Sequence, residues 1–131
     1  MEVKIDTKEK FTTVTPSEAH LYDNMAADLA AACNNAGKPA ANIVLNLRAV
    51  TGMDEKLAAS VAALQQQFYE TNRSFVICEL QPAVEEIFDR LELLEFLNVT
   101  PTESEAWDIV QMEEIERELM DGDDVDFDVN D

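Results

Sequence analysis

The stretch NIVLNLRAVTGMDEKLAASVAALQQQF, Asn42 to Phe68, decides how this chain folds. Ile43, Val44, Leu45 and Leu47 form a short apolar run, the pattern of a strand covered on both faces. Arg48 to Gly52 break the run, and Gly52 offers the backbone freedom that a tight loop uses. Asp54 is suited to cap a helix, since its carboxylate can accept hydrogen bonds from the first free amides. Leu57, Val61, Leu64 and Phe68 then recur at steps of four, three and four, one face of that helix. The prediction is strand, loop and capped helix, with Asp54, Glu55 and Lys56 at a polar tip. In an open α/β sheet, partners and ligands usually meet that end of a strand.

Outward from this unit the chain alternates strands and helices. Val3 to Ile5 and Phe11 to Val14 read as a hairpin around the polar turn Asp6 to Lys10. Thr15-Pro16-Ser17-Glu18 has the spacing of a capping box, and Leu21, Met25, Leu29, Ala32 and Cys33 follow as a helical stripe ending near Asn34-Asn35-Ala36-Gly37. After the central helix, Asn72 marks a turn and Ser74 to Leu80 a buried strand. Gln81-Pro82 opens a helix with proline in its first turn, striped by Val84, Ile87, Phe88 and Leu91. Leu93 to Val99 lead into a short strand. Thr102-Glu103-Ser104-Glu105 then forms a second capping box before a helix that carries Ala106, Trp107, Ile109, Val110 and Met112 to about Met120. The expectation is one α/β domain over residues 1–120: a mostly parallel or mixed sheet of four to five strands with about four helices packed on it. An acidic tail, 121–131, follows.

The central segment resembles the STAS domain, the fold of bacterial anti-sigma factor antagonists and of the cytoplasmic tails of sulphate transporters. The family pattern is an apolar strand ending in Asp-Leu, a short loop, then Asp-Ser-Ser/Thr-Gly opening a helix with a leucine stripe. Here Asn46-Leu47 stands for Asp-Leu, Val50 to Met53 for the loop and Asp54 for the family aspartate. Glu55 and Lys56 fall on the two hydroxyl positions and Leu57 on the glycine. The second hydroxyl is the one that the family phosphorylates, so the resemblance implies no phosphorylation at Lys56. The family's Gly-Leu before its terminal strand also lacks its glycine here, and Thr15 to His20 replace a glycine-containing loop at the same edge.

At 131 residues and 47% hydrophobic content the chain has the make-up of a soluble globular domain. No apolar run approaches a membrane span, and MEVKIDTKEK has no apolar core of the kind that a signal peptide needs, so a cytoplasmic protein is expected. Cys33 and Cys78 have no paired spacing and read as buried thiols. The formal charge of −19 argues against nucleic acid and anionic membranes as partners and favours a basic partner, or simply solubility. In the tail, Val125, Phe127 and Val129 alternate with Asp126, Asp128 and Asn130. This is strand periodicity, consistent with pairing to a sheet edge of this or a second copy; the charge is equally that of a loose solvated end.

Asp54 and Glu55 admit two readings: a docking surface whose carboxylates replace a switchable hydroxyl, or a helix cap followed by solvated charges. Lys56 reads as solvated. Thr51 and Ser60 are the remaining hydroxyls that a kinase could reach at this tip. Ala59, Ser60, Ala63, Gln66 and Gln67 face away from the leucine stripe, as an interface of small residues or as an ordinary exposed helix. The partner-binding set is therefore Thr51, Gly52, Asp54, Glu55, Lys56, Ala59, Ser60 and Ala63. His20, the sole histidine, has no cluster of ligands around it in sequence, the tail lacks the spacing of a calcium loop, and Trp107 and Phe127 read as packing residues. No cofactor, metal or nucleophile–base pair is indicated. The resemblance implies a non-catalytic regulator that binds an anti-sigma factor kinase. The competing reading is an accessory subunit of a transport system that binds a nucleotide or lipid head group at Thr51-Gly52.

Overall fold

A computed structural model describes residues 1–36 and 41–130, with the side chains of 120–130 left aside. The element order is β1 (Val3–Thr7), β2 (Phe11–Pro16), β3 (His20–Leu21), α1 (Ala26–Asn35), β4 (Asn42–Asn46), β5 (Gly52–Met53), α2 (Glu55–Glu70), β6 (Phe75–Cys78), α3 (Pro82–Arg90), β7 (Val99–Thr100) and α4 (Glu103–Asn130). Single 3-10 turns at Asp23–Met25 and Leu94–Phe96 lead into α1 and β7.

Five strands form one mixed sheet in the order β1-β2-β4-β6-β7. Only β1 runs antiparallel, paired to β2 through the predicted hairpin; β2, β4, β6 and β7 are parallel. β4 lies at the centre and every one of its residues is buried. Its alternation divides the interior in two. Ile43 and Leu45 join Phe75 and Ile77 in the main core, which α2 completes with Leu57, Val61, Leu64 and Phe68. Val44, Val76 and Cys78 face the other way, onto Ala106 and Val110 of α4. The Phe68 and Phe75 rings meet at 5.2 Å. Burying a side chain of this size stabilises by about 1.5–3 kcal/mol, so the main core dominates the energetics.

The second layer is held largely by polar contacts. Glu103 Oε1 accepts from Asn46 Nδ2 at 3.0 Å, and Glu114 accepts from Asn42 Nδ2 at 2.7 Å. Glu113 accepts from the hydroxyls of Ser74 and Tyr69. Arg117 donates to Asn42 Oδ1 at 3.2 Å and to Ser74 Oγ at 3.1 Å. No buried side-chain polar atom among the described residues lacks a partner.

Three local expectations change. Thr15 and Pro16 belong to β2 rather than to a helix cap, because the threonines of β2 are buried between β1 and β4. Leu21 is a buried strand residue, and α1 begins only at Ala26. The backbone of α4 is helical through Asn130, so the alternation of Val125, Phe127 and Val129 does not become a strand. The contacts of those side chains, the cap at Gly37 and Asp131 lie outside the described residues. Half of the second capping box forms: Thr102 Oγ1 accepts from the Glu105 amide at 3.2 Å, while the Glu105 carboxylate accepts from the Thr102 hydroxyl at 3.1 Å. Trp107 packs against Phe11 at 6.0 Å between ring centres, yet remains 46% exposed. Glu92, immediately before Leu93, adopts a left-handed φ of 62°, the conformation that favours glycine.

Candidate functional site

The tip of α2 is assembled by a second, two-stranded sheet that periodicity could not have revealed. β3 pairs with β5 in parallel, His20 beside Gly52 and Leu21 beside Met53. The Thr51 and Gly52 amides both donate to the Ala19 carbonyl, at 2.7 and 3.2 Å. The Asp54 amide donates to the Leu21 carbonyl at 3.0 Å. The loop after β4 is thereby tied down to the segment before α1.

Gly52 is needed for space and not for a left-handed turn. A Cβ built on it would lie 2.6 Å from His20 Nδ1. The His20 ring covers the glycine, packs tilted against Tyr22 at 4.4 Å between ring centres and presents Nε2 to Asp54 Oδ1 at 3.0 Å. Asp54 Oδ2 accepts from the Asp23 amide at 2.8 Å. Asp54 thus holds the cap position, but no side-chain hydrogen bond runs from it into α2. Its carboxylate is turned outward to staple the start of α1 to the start of α2. The His20 hydrogen bond, followed by the Asp23 amide, holds the Asp54 carboxyl below the usual carboxylate range.

Glu55 is engaged too. Arg90 of α3 donates to it at 2.8 Å and to Glu86 of its own helix at 2.9 Å. These carboxylates, the hydrogen bond that Glu55 accepts first, hold the guanidinium above its ordinary value. The Glu55 carboxylate is therefore matched by a cation and is not a bare anion at the helix end. Lys56 is exposed and forms no ion pair among the described residues. Thr51 Oγ1 donates to the Ala19 carbonyl at 3.2 Å, and Ser60 Oγ donates to the Lys56 carbonyl at 3.0 Å. Both hydroxyls serve the local backbone.

Along α2, Ala59 and Ala63 are exposed and Ser60 is half-buried, as the helix period implies. This ridge separates two grooves. One, of about 260 Å³, runs between Ser60, Ala63 and the α1 residues Ala26 and Ala30. The other, of about 800 Å³, lies between Ala59, Ala63, Gln66, Tyr69 and Phe96. Phe96 is 69% exposed on its wall. Glu55, Lys56, Ala59, Ser60 and Ala63 lie on α2 and Asp54 caps it, whereas Thr51 and Gly52 reach the tip from the loop and β5. His20, Asp23, Arg90 and Phe96 complete the surface and carry no motif: each is joined to it through space alone. Burial pushes the Cys33 and Cys78 thiols up to about 12, which removes both as nucleophiles. No group of metal-ligating residues occurs among the described residues.

The family model described as STAS domain matches residues 3–106. Among solved structures, the chain is similar to an anti-sigma-factor antagonist (STAS) domain protein from Planctomyces limnophilus. That likeness has 15% identity and a TM-score of 0.70, covering 83% of this chain and 97% of that one. A candidate anti-sigma factor antagonist from Thermotoga maritima has 15% identity and a TM-score of 0.73, over 83% of this chain and 94% of the other. A murine anion transporter of the solute carrier 26 family matches 79% of this chain with 15% identity and a TM-score of 0.62, through only 18% of its own length. No curated protein matches the chain at a significant level. At these identities the structural likeness carries the fold.

Proposed function

This chain belongs to the STAS domain family, and from that membership we propose a non-catalytic protein-interaction regulator of the anti-sigma factor antagonist kind, without the usual phosphoacceptor. One observation carries the reading. At the phosphorylated position of the family pattern stands an exposed lysine, Lys56, and the neighbouring hydroxyls of Thr51 and Ser60 are hydrogen-bonded to backbone carbonyls. Phosphorylation would add up to about two negative charges at this helix start. Here Glu55 supplies one, and Arg90 offsets it. Such a tip has a fixed charge pattern, consistent with a bacterial cytoplasmic protein that binds an anti-sigma factor kinase without being switched by it. The docking set is Thr51, Gly52, Asp54, Glu55, Lys56, Ala59, Ser60 and Ala63, in a domain comprising residues 1–120.

The test has two arms. Capture from a lysate of the native organism, read by mass spectrometry, should recover an anti-sigma factor kinase with the wild type and lose it with the Asp54→Ala, Glu55→Arg double variant. With that kinase and labelled ATP, the wild type should incorporate no phosphate, while Lys56→Ser gains an acceptor. Label on the wild type would overturn the non-phosphorylatable reading. Failure to recover any such kinase would overturn the class.

A second reading draws on the fold's likeness to part of an anion transporter: an accessory STAS subunit that binds a nucleotide or lipid head group at Thr51-Gly52. A ligand that binds the folded state alone raises its melting temperature, so a thermal shift with nucleotides separates the two. A third reading is a self-associating structural protein built through residues 121–131, which concentration-dependent light scattering would test.

A further inference from the structure

Helix α4 has a second face that the fold does not use. Glu103, Ala106, Val110, Glu113, Glu114 and Arg117 address the sheet and its surroundings. Successive residues turn by about 100°, so Met112, Ile115 and Leu119 fall on the opposite side. They are 56, 54 and 58% exposed. Their steps of three and four are those of a seam along which one helix packs on another. Isolated apolar residues on a surface are ordinary, but a contiguous row at helical spacing marks a contact site.

Charge identifies the occupant. Glu105, Asp108, Glu116 and Glu118 are exposed around the seam. Between Glu103 and Leu119 the sole basic residue is Arg117, which is engaged with Asn42 and Ser74 on the inner face. A second copy would bring the same carboxylates and a formal charge of −19 against them. A basic helix would meet complementary charge. We propose that the outer face of α4 is a docking seam for a basic amphipathic helix of a partner protein. Its apolar stripe would lie on Met112, Ile115 and Leu119, and its lysines and arginines would address the flanking carboxylates. This seam is independent of the surface proposed at α2.

The test uses the full chain and a fluorescein-labelled synthetic peptide of leucine and lysine, with leucine at the apolar positions of repeated heptads. A scrambled peptide of the same composition retains the charge without the stripe. Anisotropy titration should show the heptad peptide binding about tenfold more tightly than the scrambled one. The Ile115→Gln, Leu119→Gln double variant should lose about tenfold of that affinity, with unchanged circular dichroism and melting temperature because neither side chain packs in the core. Equal binding of both peptides, equal binding by the variant, or no binding at all would overturn the proposal. So would sedimentation showing a wild-type dimer that the same double variant dissolves, which would make a second copy the occupant.

Discussion

The His20 ring lies 3.0 Å from Asp54 through Nε2 and occupies, through Nδ1, the space that a side chain at position 52 would need. One imidazole thus sets both the direction of the Asp54 carboxylate and the identity of the residue before Met53. The start of α2 is consequently organised from β3, far back in the chain, and not from its own cap.

Acid should loosen this arrangement. The Asp54 carboxyl is held low by His20 and the Asp23 amide, so the folded chain takes up that proton less readily than the unfolded one. The associated stabilisation is complete above the ordinary aspartate value of about 3.9 and is lost as pH falls through the depressed folded value. Melting temperatures of wild type and Asp54→Asn should therefore differ near neutrality and converge below about pH 4. A gap that stays constant down the titration would remove the carboxylate charge from the explanation.

Gly52→Ala should act through His20. The added methyl would stand 2.6 Å from Nδ1, forcing the ring off Asp54. A cost of about 1–3 kcal/mol is expected for such crowding. In a His20→Ala background the same change should be nearly neutral, which a double-mutant cycle by urea denaturation would read as coupling. Equal costs in both backgrounds would place the strain in the backbone instead.

Asn46→Asp restores the residue of the family pattern and should destabilise this chain. Asn46 is fully buried and donates to Glu103. A carboxylate in its place leaves two acceptors facing one another, at a cost of about 1–3 kcal/mol near neutrality. The deficit should shrink as pH falls, since one shared proton rebuilds the hydrogen bond, and Glu103→Gln should recover most of it at pH 7. Stability at or above wild type for Asn46→Asp alone would contradict this.

Glu92→Gly should do the reverse. A φ of 62° strains an L-residue by roughly 1–2 kcal/mol, and glycine's greater freedom in the unfolded chain returns about half of that. A net gain of about 0.5–1 kcal/mol is expected in urea denaturation. A loss would mean that the Glu92 side chain contributes more than its backbone costs.

What could be read in advance follows from how far each interaction reaches along the chain. Ile43 to Leu47 and the Leu57 to Phe68 stripe declare themselves because strand and helix periods repeat within the segment. β3 and β5 are two residues each, too short to show a period, so Leu21 reads as the start of a helix. Asp54 was recognisable as a cap by position, but its bonds reach back 34 residues to His20 and 31 to Asp23. Glu55 looks like any solvated glutamate until α3 brings Arg90 alongside. Met112 falls within the predicted helix, yet its exposure depends on which side of α4 the sheet occupies.

The two kinds of contact beneath α4 divide their labour. Ala106 and Val110 lie on Val44 and Val76, a smooth apolar patch that would tolerate a helix sliding by a fraction of a turn. Glu103, Glu113, Glu114 and Arg117 would not, since each meets a particular amide or hydroxyl of the sheet or of α2. The grease provides adhesion while the teeth provide indexing. A helix so indexed presents its outer side at one fixed azimuth, and whatever reads that side meets a rigid template rather than a rolling cylinder.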